Sequence, residues 1–129
     1  MNDRRFTLDS SALLAVFNNE VGAEVVEPLL PMCQIGSVNL AEIATKLNEY
    51  GYSEDEISLT IDEADLAVVE FDQAQAIRAG ALRAVTRKLG LSLGDRACLA
   101  LAQMTGTIAL TADRAWLELE FGIEIEPIR

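Results

Sequence analysis

Short apolar runs typical of β-strands alternate with segments of helical periodicity along most of the chain. The pattern predicts strands over residues 6–9, 32–36, 66–71, 107–113 and 122–128. It predicts helices over residues 10–20, 22–30, 37–51, 53–65, 72–90 and 91–106, and a short helical turn at 114–119. Strands separated by helices favour parallel pairing, because parallel neighbours need a long crossover connection. We therefore expect one domain over residues 1–129, with an α/β fold of three layers, α/β/α, around a mainly parallel central sheet.

Capping and turn residues mark several ends of these segments. Pro31 ends the second predicted helix, and Gly51 stands where a left-handed residue closes the third. Ser53 and Glu56 have the spacing of a capping box, which opens the next helix. The run LAVVEF, residues 66–71, alternates too little between apolar and polar positions for a strand with one face in solvent, so it predicts a buried strand.

The composition excludes several kinds of protein. The chain has no histidine, which removes the commonest general base and zinc ligand and, with them, hydrolytic triads and zincin sites. No apolar run approaches the roughly 18 residues that span a bilayer, and the start MNDRRFTLDSS has no apolar stretch of signal-peptide length. We expect a cytoplasmic protein without membrane contact, in which Cys33 and Cys98 are structural thiols.

The formal net charge of −11 is unfavourable for binding a polyanion, because such binding depends mainly on Lys and Arg. Divalent cations could carry part of the positive charge, and basic residues could be clustered locally. Half of the basic residues do fall within one stretch of the chain: Arg78, Arg83, Arg87, Lys88 and Arg96. A solvated helix face is still the simpler interpretation of any one of them.

Four acidic residues are candidates for a site at the carboxyl ends of the strands, where open α/β sheets bind ligands. Asp9 ends the first predicted strand, and Asp113 stands just beyond the fourth. Glu42 lies in the early turns of the helix after the second strand. Asp95 lies in the first turn of the helix that leads into the fourth strand, so strand order alone does not place it at this edge. The sequence predicts that three acids converge, and that Asp95 joins them only if its helix packs accordingly.

Each of the four acids has a simpler interpretation as a helix cap. Asp9 could cap the helix that starts at Ser10, and Asp113 could cap the turn at Arg114. Glu42 could form a capping box with Asn39, and Asp95 could form one with Ser92. Taken together these interpretations are weaker, because two carboxylates about 5 Å apart repel by on the order of 3 kcal/mol at an effective dielectric constant near 20. A convergent set is costly unless protons or a cation offset the charge, and Mg²⁺ or Mn²⁺ prefers oxygen ligands of this kind.

Such a metal site can lower the pKa of a bound water, orient it towards a phosphodiester and stabilise charge on the leaving oxygen, without histidine. Three small hydroxyl residues lie beside the acids, namely Ser10, Ser11 and Thr111. They could orient a carboxylate or a water by hydrogen bonds, although turn and cap chemistry explains them equally well. The residues alone predict a metal site, with phosphodiester hydrolysis as one chemistry that it supports.

Four segments in series resemble a known family. LDSSALLAVF, NLAEIATKL about thirty residues on, LSLGDRACLALA and TIALTADRAW are similar, in order and spacing, to PIN-domain ribonucleases and especially to the VapC-type toxins of bacterial toxin–antitoxin modules. The resemblance covers nearly the whole chain. It implies that Asp9, Glu42 and Asp95 are the principal metal-binding acids and that Asp113 completes the site. It also implies that Thr111 is the hydroxyl position just before that last acid.

By the same resemblance we expect a Rossmann-like sheet, a homodimer, RNA cleavage that depends on Mg²⁺ or Mn²⁺, and inhibition by a cognate antitoxin. In that family the antitoxin commonly places a basic side chain near the acidic pocket, and a basic partner segment suits the net charge of −11. The leading hypothesis is therefore an endoribonuclease in which Arg83, Arg87 or Arg96 steers RNA phosphates.

Two other hypotheses differ in chemistry. A PIN-like domain could keep the acids for stability or docking and bind RNA or protein without catalysis. A phosphotransfer protein of another α/β family is disfavoured: a receiver-type site would want a lysine after a late strand, and no lysine follows Lys88. Haloacid-dehalogenase-like chemistry would want the pattern D-x-D, whereas Asp9 is followed by Ser10 and Ser11.

Overall fold

The computed structural model describes residues 4–120 and 122–129, and its strands form one sheet. They are β1 (Phe6–Leu8), β2 (Cys33–Gly36), β3 (Ala67–Val69), β4 (Ile108–Thr111) and β5 (Ile125–Pro127). The order across the sheet is β3-β2-β1-β4-β5, and each neighbouring pair is parallel. The parallel sheet predicted from the alternation of strands and helices is confirmed.

The helices fall close to the predicted segments. They are α1 (Ser10–Phe17), α2 (Ala23–Val26), α3 (Ser37–Glu49), α4 (Glu54–Glu63), α5 (Gln73–Ala81), α6 (Arg83–Thr86) and α7 (Leu93–Thr105). Tight 3₁₀ segments follow α2, α6 and β4, over Glu27–Met32, Arg87–Leu89 and Arg114–Glu118. Pro31 lies inside the first of these segments, so the prediction that it ends the helical path is wrong. Within the described residues, no helix is both long and apolar enough to cross a bilayer.

Two apolar clusters lie on opposite faces of the sheet and make the three layers. The first joins the strands to α1, α2 and α3, and its buried members include Leu8, Leu13, Ile35, Ile43 and Leu110. The second joins the sheet to α5, α7 and the last 3₁₀ segment, and it includes Ala79, Leu99, Ala109 and Trp116. Successive strand residues point to opposite faces, so Ala109 and Leu110 enter different clusters. The α/β/α architecture expected from the sequence is confirmed.

The strand β3 corrects one sequence-based expectation. The run LAVVEF was predicted to be a buried strand, but β3 is the edge strand next to β2, and Val68 is 43% exposed. The helix that precedes β3, α4, contains no buried residue, so it covers Val68 only in part. A mostly apolar run therefore indicates β-propensity here, and not burial on both faces.

The long helix predicted over residues 72–90 is interrupted. It begins as expected, because the Asp72 side chain accepts a hydrogen bond from the backbone of Gln75. It stops at Ala81, and the buried Thr86 hydroxyl donates to the Leu82 carbonyl at 2.9 Å. That bond spans α6, and α6 and the 3₁₀ segment Arg87–Leu89 complete the predicted span.

A buried polar network lies towards the amino ends of the strands. The Gln34 amide donates to Thr7 Oγ1 at 2.9 Å and to Thr105 Oγ1 at 3.1 Å. Thr107 Oγ1 lies 2.6 Å from Thr7 Oγ1 and 3.1 Å from Thr105 Oγ1. The bonds attach the C-terminal end of α7 to β1 and β2, at the opposite end of the sheet from the acidic residues.

The chain after β5 packs closely against Gly22. The Ile128 side chain is buried, and its N–H donates to the Thr111 carbonyl at 2.9 Å. Gly22 has a φ of +104°, and a Cβ there would lie 2.9 Å from the Ile128 carbonyl oxygen and side chain. The packing of Ile128 on Gly22 and its hydrogen bond to Thr111 hold the chain after β5 beside the carboxyl end of β4.

We expect Gly22→Ala to lower the free energy of unfolding by about 2 kcal/mol more than Gly51→Ala does, because left-handed strain is common to both and the collision with Ile128 is not. Gly51 is the matched control, since its φ is +100° and a Cβ there would have nothing within 4 Å. Urea denaturation of the two variants measures the difference. Equal losses would contradict the close packing of Ile128.

Candidate active site

The strand order creates a switch point between β1 and β4, where chain connections leave the sheet in opposite directions and open α/β folds bind ligands. Asp9 follows β1, and Asp113 follows β4. The two are linked through Thr111, whose hydroxyl donates to Asp9 Oδ2 at 2.5 Å and accepts from the Asp113 N–H at 3.0 Å. The hydroxyl of Thr111, the last residue of β4, therefore joins the acid that follows β1 to the acid that follows β4.

Asp9 is a buried carboxylate with several hydrogen bonds, and only 4% of its surface is exposed. Its Oδ1 accepts from the Ser11 hydroxyl at 2.7 Å and from the Ala12 N–H at 2.8 Å, so the residue also caps α1. The pKa of Asp9 is raised from 3.8 to about 6, mainly because burial disfavours the charged form. The hydrogen bonds from Thr111, Ser11 and Ala12 lower the pKa, and the charge of Asp95 contributes to raising it.

Glu42 reaches the same edge from α3. Its Oε1 accepts from the Ser10 hydroxyl at 2.5 Å and from the Asn39 amide at 3.1 Å. The capping box considered for Asn39 and Glu42 does not form, because α3 begins at Ser37 and Gly36 is its N-cap. Asn39 instead lies inside the first turns of the helix and is buried. The contacts of Glu42 are therefore those of a site residue and not of a cap.

Asp95 does form the capping box predicted with Ser92. Its Oδ2 accepts from the Ser92 N–H at 3.0 Å, and its own N–H donates to Ser92 Oγ at 3.2 Å. The charge of Asp95 raises the pKa of Asp9, and the charges of Asp9, Asp95 and Glu42 add to burial in raising the pKa of the Cys98 thiol. The packing of α7 therefore brings Asp95 within electrostatic reach of the edge, which strand order alone did not predict.

Asp113 is exposed and caps the last 3₁₀ segment, because its Oδ1 accepts from the Ala115 N–H at 3.0 Å. Three of the four acids, Asp9, Asp95 and Asp113, thus serve as caps while standing at or near the switch point. Cap and site roles are compatible here, because a carboxylate has two oxygens and the cap bond uses one.

The acids at this edge of the sheet are the candidate ligands of a divalent cation. Within residues 4–120 and 122–129, no group of three or more His, Cys, Asp or Glu side chains is gathered closely enough to hold a metal ion as placed. The donor chemistry fits nevertheless. Among the hydrogen bonds of the described residues, none uses Glu42 Oε2, Asp95 Oδ1 or Asp113 Oδ2, and these are hard oxygen donors of the kind that Mg²⁺ prefers. Ion binding would require the four acids to come closer together than they lie here.

The candidate basic residues occupy different environments. Arg83 and Arg87 are exposed, on α6 and on the 3₁₀ segment that leads towards α7. Arg96 is half-buried, and its guanidinium donates to the Ala79 carbonyl at 2.9 Å, which ties α7 to α5. The structure therefore gives Arg96 a packing role, and leaves Arg83 and Arg87 open to solvent.

Sequence reasoning assigned no site role to Asn39 or Gly94, although both contact Glu42 or lie within reach of it. The Asn39 amide donates to Glu42 and to the Gly94 carbonyl, at 3.1 and 3.0 Å. The spacing of Asn39 and Glu42, three residues apart in a helix, places them on one face and is the signal that could have found the contact. Gly94 had no signal in the sequence, because its role depends on how two helices pack.

Comparison with known proteins assigns a family. A family model described as the PIN domain matches residues 6–122. The chain belongs to the PIN-domain family. The resemblance inferred from the four sequence segments is thereby confirmed at the level of the PIN domain. Comparison with curated protein sequences gives no significant match.

Solved structures have the same fold as this PIN domain. A chain of the DNA-bound VapBC from Salmonella typhimurium matches with a TM-score of 0.74 and 21% identity, over 98% of this chain and 99% of the other. A chain of VapBC2 from Rickettsia felis, bound to a promoter DNA fragment, gives 0.74 and 19%, over 95% and 97%. A toxin–antitoxin complex from Klebsiella pneumoniae gives 0.72 and 21%, over 95% and 97%. At these identities the similarity establishes the fold.

The raised pKa of Asp9 predicts a pH dependence for the PIN domain in metal-free buffer. Because the pKa in the folded state, about 6, lies above the ordinary 3.8, protonation of Asp9 stabilises the fold below pH 3.8, and this contribution is lost as the pH rises through about 6. The difference amounts to on the order of 3 kcal/mol. We expect Asp9→Asn, a neutral isostere, to gain stability relative to the unsubstituted protein between pH 4 and pH 7.

Urea denaturation with a chelator present, repeated across that pH range, measures the effect. Asp55→Asn, at an exposed position on α4, controls for the loss of one negative charge. A stability difference between Asp9→Asn and the unsubstituted protein that stays constant with pH would contradict the burial cost assigned to Asp9.

Proposed function

We propose that this PIN domain, as a single domain over residues 1–129, is an endoribonuclease that hydrolyses RNA phosphodiester bonds with Mg²⁺ or Mn²⁺. The observation that carries the proposal is the buried carboxylate of Asp9 at the switch point, tied to β4 through Thr111 and subject to the charge of Asp95. A buried acid beside a second acid is costly in a metal-free protein. A divalent cation is the group that offsets this cost and matches the oxygen donors.

The side chains divide into ligands and residues that orient them. Asp9 and Asp95 would bind the metal, with Glu42 and Asp113 as further ligands or as groups that orient a water. Thr111 and Ser11 hold the Asp9 carboxylate, and Ser10 holds Glu42. A divalent cation bound there would supply positive charge and a water of lowered pKa beside the phosphate. The protein's own contribution is to fix the carboxylates so that this water faces the phosphodiester.

RNA as substrate is supported by local charge and not by the net charge of the chain. Arg83 and Arg87 are exposed on the segment that leads towards the N-terminus of α7, where Asp95 stands. Exposed guanidinium groups attract phosphates. We assign Arg83 and Arg87 to steering the RNA backbone. Arg96 acts mainly by fixing α7.

We expect the purified protein to cleave single-stranded or structured RNA with Mg²⁺ or Mn²⁺, and chelation to stop the cleavage. Asp9→Asn should slow cleavage by about 100-fold or more while the fold survives, because a ligand that stabilises transition-state charge is lost. Gel analysis of a panel of end-labelled RNAs measures the rates. Asp55→Asn is the matched control and should cleave as the unsubstituted protein does.

The alternative is a PIN-like module that binds RNA or protein without catalysis. A panel of RNAs left intact with both metals would favour this alternative. Calorimetric titration with Mn²⁺ then separates the two functions, because a docking module need show no binding site that disappears in Asp9→Asn. Cleavage that persists unchanged in Asp9→Asn would also contradict the proposed site.

We further propose that the protein is the toxin of a toxin–antitoxin pair, held by an antitoxin with a basic segment. The similar structures come from VapBC and toxin–antitoxin complexes. A groove of about 340 Å³ between α3, α4 and β3 has an apolar lining and acidic residues beside it: Leu40, Ala44, Ile57, Ile61 and Val68, with Glu54 and Asp62. No Lys or Arg occurs in the sequence between Lys46 and Arg78, so a basic amphipathic segment matches this surface in charge.

The partner to test is the protein encoded beside this chain's gene, co-expressed and purified as a complex. We expect the pair Glu54→Lys and Asp62→Lys to weaken the complex by about tenfold, because like charges then face each other across the groove. The pair Asp55→Lys and Glu63→Lys, on the same helix but outside the groove lining, makes the same change in charge and is the control. Equal effects of the two pairs in a calorimetric titration would contradict docking in the groove. A homodimer and a cytoplasmic location stay predictions.

A further inference from the structure

Glu42 is held by contacts that reach across three helices. Its Oε1 accepts from the Ser10 hydroxyl of α1 at 2.5 Å and from the Asn39 amide of α3 at 3.1 Å. The same amide nitrogen lies 3.3 Å from Ser10 Oγ and donates to the Gly94 carbonyl of α7 at 3.0 Å. Asn39 is 1% exposed, so water competes little for these bonds. The Glu42 carboxylate, on an exposed residue, is thus tied to a buried anchor.

Gly94 provides the space in which this carboxylate lies. A Cβ at Gly94 would stand 2.5 Å from Glu42 Oε2, 2.6 Å from Oε1 and 2.7 Å from Cδ. Gly94 is buried in the first turn of α7, directly before Asp95. Its missing side chain therefore lets Glu42 rest on the backbone of the residue next to a second acid.

Stability alone does not account for Asn39. Its Oδ1 is buried and has no hydrogen-bond partner among the described residues. A buried polar atom without a partner destabilises a protein, and an apolar residue of similar shape avoids that cost. What the amide adds is a pair of directed bonds, to Glu42 and to the Gly94 carbonyl, which an apolar residue cannot make.

We propose that Asn39 and Gly94 are positioning residues that form a seat for the Glu42 carboxylate beside Asp95, and that this seat sets the affinity of the site for a divalent cation. The proposal rests on the metal-dependent function proposed above. A Glu side chain has many rotamers, and fixing it before the ion arrives removes an ordering cost from binding. Partners that orient a ligand in this way typically change metal affinity by about 10- to 100-fold.

Gly94→Ala is the sharpest test, because it fills the seat without straining the helix. We expect the dissociation constant for Mn²⁺, measured by calorimetry, to rise about tenfold. The melting temperature without metal should change little, because the preference of a helix for Ala over Gly offsets the bonds lost when Glu42 is displaced. Gly80→Ala is the matched control, since Gly80 is also helical and nothing lies within 4 Å of a Cβ there. It should leave the Mn²⁺ affinity unchanged.

Asn39→Leu tests the other half of the seat against Gln34→Leu. Both amides are buried and bridge separate elements, but Gln34 lies at the opposite end of the sheet. We expect both variants to lower the melting temperature and only Asn39→Leu to weaken Mn²⁺ binding, again by about tenfold. In the Glu42→Gln background, Gly94→Ala should cause no further loss, because the seat acts through Glu42.

The outcomes separate this proposal from the function on which it rests. Mn²⁺ binding that disappears in Asp9→Asn but is equally tight in Gly94→Ala overturns the seat and leaves the metal site standing. An undiminished effect of Gly94→Ala in the Glu42→Gln background also overturns the seat. If the protein shows no Mn²⁺ binding that disappears in Asp9→Asn, the proposed function and the seat are both overturned.

Discussion

The burial of the Asp9 carboxylate between β1, β4 and α1 is the constraint on which the rest of the site depends. The backbone N–H of Asp9 donates to Leu110 of β4, its Oδ1 caps α1, and its Oδ2 accepts from Thr111. These bonds do not fully offset the loss of water, because the pKa is still raised to about 6. The fold therefore keeps at its switch point a charge that costs stability at neutral pH, and this is understandable if the charge serves a ligand.

The other acids are placed by bonds that also organise secondary structure. Asp95 opens α7 with Ser92, and Asp113 opens the last 3₁₀ segment. In each case one carboxylate oxygen accepts from a backbone amide, and the second oxygen takes no part in the cap bond. A residue that caps a short local turn can therefore also serve as a ligand, and the two interpretations weighed from the sequence are compatible.

The sequence could predict what depends on neighbours along the chain. The alternation of strands and helices, the parallel pairing and the positions of Asp9 and Asp113 after their strands follow from local periodicity, and the structure confirms the parallel sheet. The approach of Asp95 could not be predicted, because it depends on how α7 packs across β1, β2 and β4. The edge position of β3 was missed for the same reason, since an apolar run does not reveal whether a neighbouring helix covers it. The alternative interpretation of Asn39 as a cap is wrong because α3 begins at Ser37, which agrees with the predicted start of this helix.

The net charge of −11 describes no single surface of this molecule. The exposed basic residues Arg83 and Arg87 follow α5, which packs on the face of the sheet that holds Trp116. The acidic α4 packs through Ile57 and Ile61 on the other face. The two groups of charges lie on opposite faces of the sheet, and interactions between exposed charges are screened over roughly 8 Å at physiological salt. Each face therefore presents its own local potential. A polyanion and a basic partner can therefore be attracted to different faces, and an acidic PIN domain remains compatible with RNA as a substrate.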